Sequence, residues 1–167
     1  MLEVTEVRSP SELREFVAFP ERLYRSNPYY VPKLFRDEMA TLDRAANPAF
    51  AYCDARYWIA RRDGAPVGRI AGIVNHRYIE IWKRKYARFG WVDFVDDAEV
   101  SAALFSAVES WTRDQGLEAV HGPLGFTDLD REGMLVEGFN ELDMLVTNYN
   151  YPYHPAHLEH LGYTKDV

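Results

Sequence analysis

Three carboxylates stand together where the segment WVDFV, residues 91–95, gives way to a helical pattern: Asp96, Asp97 and Glu99. A strand-to-helix turn is a place where enzymes hold phosphates, because the first-turn amides and the helix dipole attract an anion. Asp96 and Glu99 have capping-box spacing, in which Asp96 caps the helix and Glu99 reaches back to the capping residue's N–H. On that reading the helix end supplies its own anion. A pyrophosphate within ~4–6 Å of these groups meets a repulsion of order a few kcal/mol per pair at an effective dielectric of roughly 20, less after salt screening. The other chemistry open to such carboxylates is contact with an amine substrate or a metal.

Further residues carry chemical potential elsewhere. His154, His157 and His160 recur every third residue beside Glu159, but that spacing drifts around a helix and fits no standard zinc pattern, so no metal is expected. GPLGFTDLDREG, residues 122–133, lacks both the Lys-Ser/Thr of a P-loop and calcium-loop spacing, and reads as a substrate-facing loop or a structural turn. WKRKYAR, residues 82–88, gathers Lys83, Arg84, Lys85 and Arg88 around aromatic residues; a solvated helix face is the plain reading and a phosphate contact the functional one. Cys53 stands alone, which leaves no disulfide framework and no cysteine-based zinc site within the chain.

These residues must be held by a scaffold of ordinary globular composition. The chain has 167 residues, 47% hydrophobic and 27% charged, with no repeat, low-complexity tract or linker, and is treated as one unit over 1–167. A net charge of −7 argues against a broad nucleic-acid face. No run has the apolar length of a membrane span, and MLEVTEVRSP lacks the features of a signal peptide, so a cytoplasmic protein without membrane contact is expected.

The periodicities give an order of elements. LEVTEV is a short strand, and Ser9-Pro10-Ser11-Glu12 starts a helix with a capping box and Pro at its first position, limited by Pro20. SNPYYVPKLF is an extended connection, and Leu34, Phe35, Met39 and Leu42 mark a second short helix. From Ala55, two β-rich runs meet at Asp63-Gly64 as a hairpin; Gly68 and Gly72 lie on one face of its second strand, where missing side chains admit another backbone or a ligand, or serve core packing. RYIEIWKRKY reads as a helix and FGWVDFV as a strand. Val100, Ala103, Leu104, Ala107, Val108 and Trp111 then define a long amphipathic helix stopped at Gly116. LEAVHGPLG is a strand, Phe126 to Tyr153 a long stretch that reads as a functional loop or lid unless it hides short elements, and PAHLEHLGY a last helix ending near Gly162. The sum is an α/β (α+β) fold with helices packed on the faces of a sheet.

That order, with GRIAGIV, then WVDFV leading into a long helix, then AVHGPLG and HLEHLGY, resembles the GNAT superfamily of acyl-CoA-dependent N-acetyltransferases. More narrowly, FPERLYRSNPYYVPKL, NPAF, GRIAGIVN and GPLGFTDLDREGMLVEGF resemble the N-terminal half of a bacterial family built as two GNAT-like units. The resemblance implies a mixed, mostly antiparallel sheet whose strands near 91–95 and 119–124 splay into a V-shaped cleft. It further implies an acetyl-CoA or other acyl-CoA cofactor, with backbone at Val92, Phe94, Val95, Ala98 and Ser101 facing it, and a small-molecule amine bound near Gly122, Phe126, Asn150 and Tyr151.

Two departures from the family pattern bear on this. The turn DDAEVSA has Glu99 and Ser101 where glycines are expected, and no Arg or Gln precedes them. The position of the Tyr that many members use to protonate the departing thiolate is Leu158; Tyr151 and Tyr153 substitute only if the loop folds them inward. Asp93 and His121 are the candidate bases, against the commoner roles of a solvent-facing strand Asp and a satisfied core His. Two readings stand: an acyl-CoA-dependent N-acyltransferase with a degenerate pyrophosphate loop, or a non-catalytic substrate-binding or dimerising unit of a two-unit protein. YTKDV supplies at most the start of a strand, so a longer chain, a homodimer or a partner strand is expected to complete the sheet.

Overall fold

In the computed structural model, which describes residues 1–144 and 146–166, five strands form one sheet in the order β1-β2-β3-β4-β5. They are β1 (Leu2–Glu6), β2 (Cys53–Arg62), β3 (Ala65–Asn75), β4 (Tyr86–Phe94) and β5 (Ala119–His121). Pairing is antiparallel through β4, and β5 joins β4 in parallel. A parallel neighbour requires a crossover, here made by α4 (Ala98–Asp114). The other helices are α1 (Pro10–Leu23), α2 (Phe35–Leu42), α3 (His76–Trp82) and α5 (Tyr153–His160). This is the expected mixed, mostly antiparallel sheet flanked by helices.

Alternation along the strands sorts the core into two layers. Trp58, Ala60, Ile70, Val74, Phe89 and Phe94 pack with Val100, Leu104, Val108 and Trp111 of α4, and Tyr57, Ile59, Ala71 and Ile73 pack with Phe16 and Val17 of α1 and Leu42 of α2. Phe89 and Phe94 are five residues apart, which in a regular strand puts them on opposite faces. A bulge reconciles them. Arg69 pairs with Asp93 and Ala71 with Gly90, so Trp91 and Val92 both stand opposite Ile70. The glycines of β3 act as packing sites: a Cβ on Gly68 would lie 2.7 Å from Leu104 Cδ1, and one on Gly72 2.9 Å from the Trp111 ring.

The Asp63-Gly64 hairpin forms with both residues left-handed, at φ 51° and 83°, as a two-residue turn requires. The Ser9–Glu12 capping box is present with both reciprocal hydrogen bonds. Four expectations are corrected. Pro20 does not limit α1, which runs three residues past it. Proline's missing N–H frees the Phe16 carbonyl, and Arg69 Nη1 donates to that oxygen at 2.9 Å, so the interruption is satisfied from β3. The segment 82–88 is not a helix face: α3 ends at Trp82, Lys83 is left-handed, and β4 begins at Tyr86 with Arg88 buried. The strand in LEAVHGPLG is only three residues long. Residues 163–166, expected to supply at most the start of a strand, form none, and Val167 lies outside the described residues.

The fourth correction concerns the opening carboxylates. The N-cap of α4 is Asp97, not Asp96; its Oδ1 accepts from the Glu99 amide at 2.9 Å. The Val95 amide is bonded to the Val67 carbonyl, which keeps the chain extended to that point and moves the helix start one residue on. Glu99 turns outward to Arg62 and makes no reciprocal bond to the cap.

Candidate functional site

The bulge in β4 creates the site. Before it, β4 is covered by β5 as far as Arg88, and the Leu124 amide still donates to the Phe89 carbonyl at 2.8 Å. A Cβ on Gly90 would lie 2.4 Å from the Leu124 carbonyl oxygen, so glycine permits this approach. Beyond Gly90 no strand of the described residues pairs with that side of β4. The expected splay is therefore present. Trp91 sits at the bulge with φ 44°, a strained conformation for a bulky residue, held by its indole N–H donating to Glu38 at 2.8 Å.

A cavity of about 300 Å³ opens where β4 diverges, bounded by Gly90–Asp93, Pro123–Leu124, the α1–α2 connection, α2 and the loop 129–150. Its floor is polar. Asp93 Oδ2 accepts from Arg69 Nε at 2.8 Å and Nη2 at 2.7 Å, and Asp93 Oδ1 accepts from the Tyr24 hydroxyl at 2.8 Å, all largely buried. Glu38 binds Trp91 and Arg131, and Lys33 binds Asp143 at 2.7 Å, which ties the loop to the α1–α2 connection. Tyr30 lines the wall, its hydroxyl pushed well above the usual tyrosine range by burial and then by the Asp93 charge. Asp37 also lines it, exposed, and makes no ion pair among the described residues. Leu129, Met134 and Val146 add an apolar side, and Leu129 and Val146 continue outward as exposed surface.

The other side of the splay, where α4 begins, is filled by the chain itself. The His157 ring lies between Ser101 Oγ, 2.8 Å from Nδ1, and Asp96 Oδ1, 2.8 Å from Nε2. The Tyr153 hydroxyl donates to the Phe94 carbonyl at 2.6 Å, and the His154 ring packs at a tilt on Phe94, with centroids 4.3 Å apart. Arg62 reaches across to Asp97 at 2.7 Å and Glu99 at 2.8 Å. Burial works to raise the Asp97 carboxyl, but the Glu99 amide and Arg62 carry it below the usual carboxylate range. The Glu99 N–H is spent on the Asp97 side chain, and the Ser101 N–H makes the ordinary helix bond to the Asp97 carbonyl. An acyl-CoA placed across this turn would lose the Phe94 carbonyl to Tyr153 and the Glu99 amide to Asp97, and would meet three carboxylates already partnered by Arg62 and His157. The residues present do not fit it in that pose.

The sequence candidates divide between these two places. Val92, Asp93 and Asn150 line the cavity. The Asn150 side chain is spent on both backbone groups of Leu135, which fastens the loop. Phe94, Val95, Ala98 and Ser101 lie at the filled side. Tyr153 is turned inward, but onto the Phe94 carbonyl, and burial first, then Tyr151, raises its pKa so that it stays protonated. Tyr151 packs on Tyr24 and Tyr153. Gly122 approaches Phe89 with φ 155°, and Phe126 is core. His121 lies on β5 away from the cavity, between Tyr78 and Tyr86; burial, then Arg88, lowers its pKa. Sequence reasoning missed Arg69, Glu38 and Asp37. Arg69 had a signal, an Arg within the apolar run GRIAGIV, whereas Glu38 and Asp37 look like any charged helix surface. No group of three or more His, Cys, Asp or Glu among the described residues is placed to hold a metal.

No protein-family model matches the chain. It is 34% identical over 157 residues to Protein YghO of Escherichia coli strain K12, covering 94% of this chain and 40% of that protein. It is 31% identical over 165 residues to the bacterial ceramide synthase of Caulobacter vibrioides, covering 98% of this chain and 43% of that protein. The chain thus spans about two fifths of the length of these curated relatives. Among solved structures it superimposes over its whole length, with a TM-score of 0.63 at 15% identity, on 45% of a tandem GNAT protein from the clavulanic acid biosynthesis pathway. It also matches a predicted acetyltransferase from Clostridium acetobutylicum solved with acetyl-CoA, with a TM-score of 0.60 at 8% identity over 99% of this chain and 91% of that one. With this order of strands, the crossover by α4 and the splay beyond Gly90, the chain is GNAT-like and has the fold of the GNAT acetyltransferases.

Proposed function

We propose that this chain is the acceptor-binding unit of a GNAT-type N-acyltransferase, and that the acyl-CoA is held by a part of the protein outside these residues. The observation that carries the reading is the filled side of the splay: His157 bridges Ser101 and Asp96, and Tyr153 occupies the Phe94 carbonyl. The cavity on the other side stays open. Its chemistry suits an amphipathic amine. Asp37, in the first turn of α2, offers a carboxylate to an ammonium group, and the Leu129 and Val146 side offers apolar surface to an alkyl chain. A relative named for ceramide synthesis supports an amine of that kind.

Calorimetry separates this from the reading in which the segment is itself the transferase, which the retained splay favours. The chain is expected to give no heat with acetyl-CoA or a long-chain acyl-CoA, and to bind a long-chain primary amine with a change in Trp91 fluorescence. Asp37→Asn is expected to weaken the amine and leave the thermal midpoint unchanged, because Asp37 is exposed. Micromolar binding of acyl-CoA to the unaltered chain would overturn the proposal.

A further inference from the structure

We propose that the corner joining α3 to β4 is a docking surface for an anionic membrane, engaged from outside the bilayer. The proposal is independent of the function assigned to the cavity. Helix α3 keeps Tyr78 and Ile79 partly buried and has no fully buried residue. Ile81 and Trp82 at its end are 69% and 66% exposed. Lys83 then turns the chain in a left-handed conformation, φ 57°, and Lys83, Arg84 and Lys85 follow, all exposed, before β4 begins.

Cations outnumber carboxylates at this corner. Arg77, Lys83, Arg84 and Lys85 face a single carboxylate on their own segment, Glu80. From neighbouring elements, Glu118 draws Lys85 at 3.7 Å and Asp54 pairs with His76 at 2.9 Å. Arg77 lies over the Tyr52 ring. Arg88, grouped with these cations by sequence, is buried beneath the Gly125 carbonyl and takes no part. In a chain of net charge −7, this is a local reversal beside two large exposed apolar side chains.

Those two properties together match a lipid interface. Trp is favoured at the headgroup level, an adjacent Ile extends the buried apolar area, and basic residues beside them are attracted to anionic headgroups. Nucleic acid accounts for the cations and could stack a base on Trp82, but it leaves Ile81 without a role, and the overall charge opposes a phosphate polymer along the rest of the surface. No helix among the described residues is long and apolar enough to cross a membrane, so the contact is peripheral.

The test is co-sedimentation of the chain with vesicles of phosphatidylcholine alone or mixed with phosphatidylglycerol, at low and high salt. Binding is expected only to the anionic vesicles, with release by salt. In K83Q/R84Q/K85Q the partition coefficient falls about five-fold per charge removed. I81S/W82S weakens binding while leaving the salt dependence in place. Quenching of tryptophan fluorescence by brominated lipid is expected in the unaltered chain and lost in Trp82→Phe, which reads proximity without depending on the multiple variants. Equal binding to neutral vesicles, no binding to anionic ones, an unaffected triple variant, no quenching, or tighter binding to duplex DNA or RNA than to anionic vesicles would each overturn the proposal.

Discussion

Asp93 shows how a residue of catalytic type can be committed to structure. Both oxygens are spent, on Arg69 and on Tyr24, and Arg69 also satisfies the carbonyl that Pro20 leaves open in α1. The pair therefore locks β3, β4 and α1 together under the cavity. Arg69→Met strands a largely buried carboxylate and a carbonyl, and is expected to cost about 3–5 kcal/mol, read as a shift in the urea midpoint. His154 is another buried ionisable group: it is fully enclosed, its Nδ1–H donates to the Tyr151 carbonyl at 3.2 Å, and its Nε2 has no partner among the described residues. Burial pushes its pKa down to about 4, although Asp93 pulls the other way. The unfolded chain then takes up a proton below about pH 6.5 that the folded chain refuses until about pH 4. Stability is thus expected to fall as pH drops through that window, by about 3 kcal/mol in all from this group, and His154→Phe should flatten the wild-type slope there. An unchanged slope in the variant would assign the acid sensitivity to other groups.

At the scale of elements, the first turn of α4 can be tested by separating its two aspartates. Asp97→Ala removes the cap and one partner of Arg62, and is expected to cost about 1 kcal/mol in thermal or urea unfolding. Asp96→Ala leaves the cap intact and removes one of the two partners of His157, so its effect should appear instead as faster amide exchange in α5 than in α4. The same turn shows what the sequence disclosed and what it withheld. Either aspartate satisfies the local capping pattern, and the choice falls to Asp97 through a sheet hydrogen bond, Val95 to Val67, that no local pattern contains. Pro20 within α1 has the same origin, a carbonyl satisfied by Arg69 more than fifty residues away in β3. Elements built by near neighbours were legible: the Ser9–Glu12 box, the Asp63-Gly64 turn, and the amphipathic stripe of α4. Even the bulge left a trace in the five-residue spacing of Phe89 and Phe94. The cavity was half legible, because Val92, Asp93 and Asn150 border it, while Arg69, Glu38 and Asp37 became visible only when the sheet and α2 were assembled around them.

For the whole molecule, the exposed side of β5 is the feature that links this chain to something beyond itself. The strand is three residues long, pairs only with β4 among the described residues, and forms the end of the sheet next to the splay. An edge strand with unpaired amides and carbonyls is a template for another strand. The relatives are more than twice as long as the matched segment, which gives two sources for a partner: further residues of a longer polypeptide, or a second copy of this one. The two make different predictions for the 167-residue chain studied alone. If a second copy is the partner, light scattering should show a dimer forming as concentration rises, and the amides of residues 119–121 should gain protection from exchange in parallel. If later residues are the partner, the chain should stay monomeric with these amides exchanging fast, and the longer polypeptide should protect them at every concentration. Slow exchange at 119–121 in a chain that stays monomeric throughout would mean that the sheet is complete with five strands, and the need for a partner would disappear.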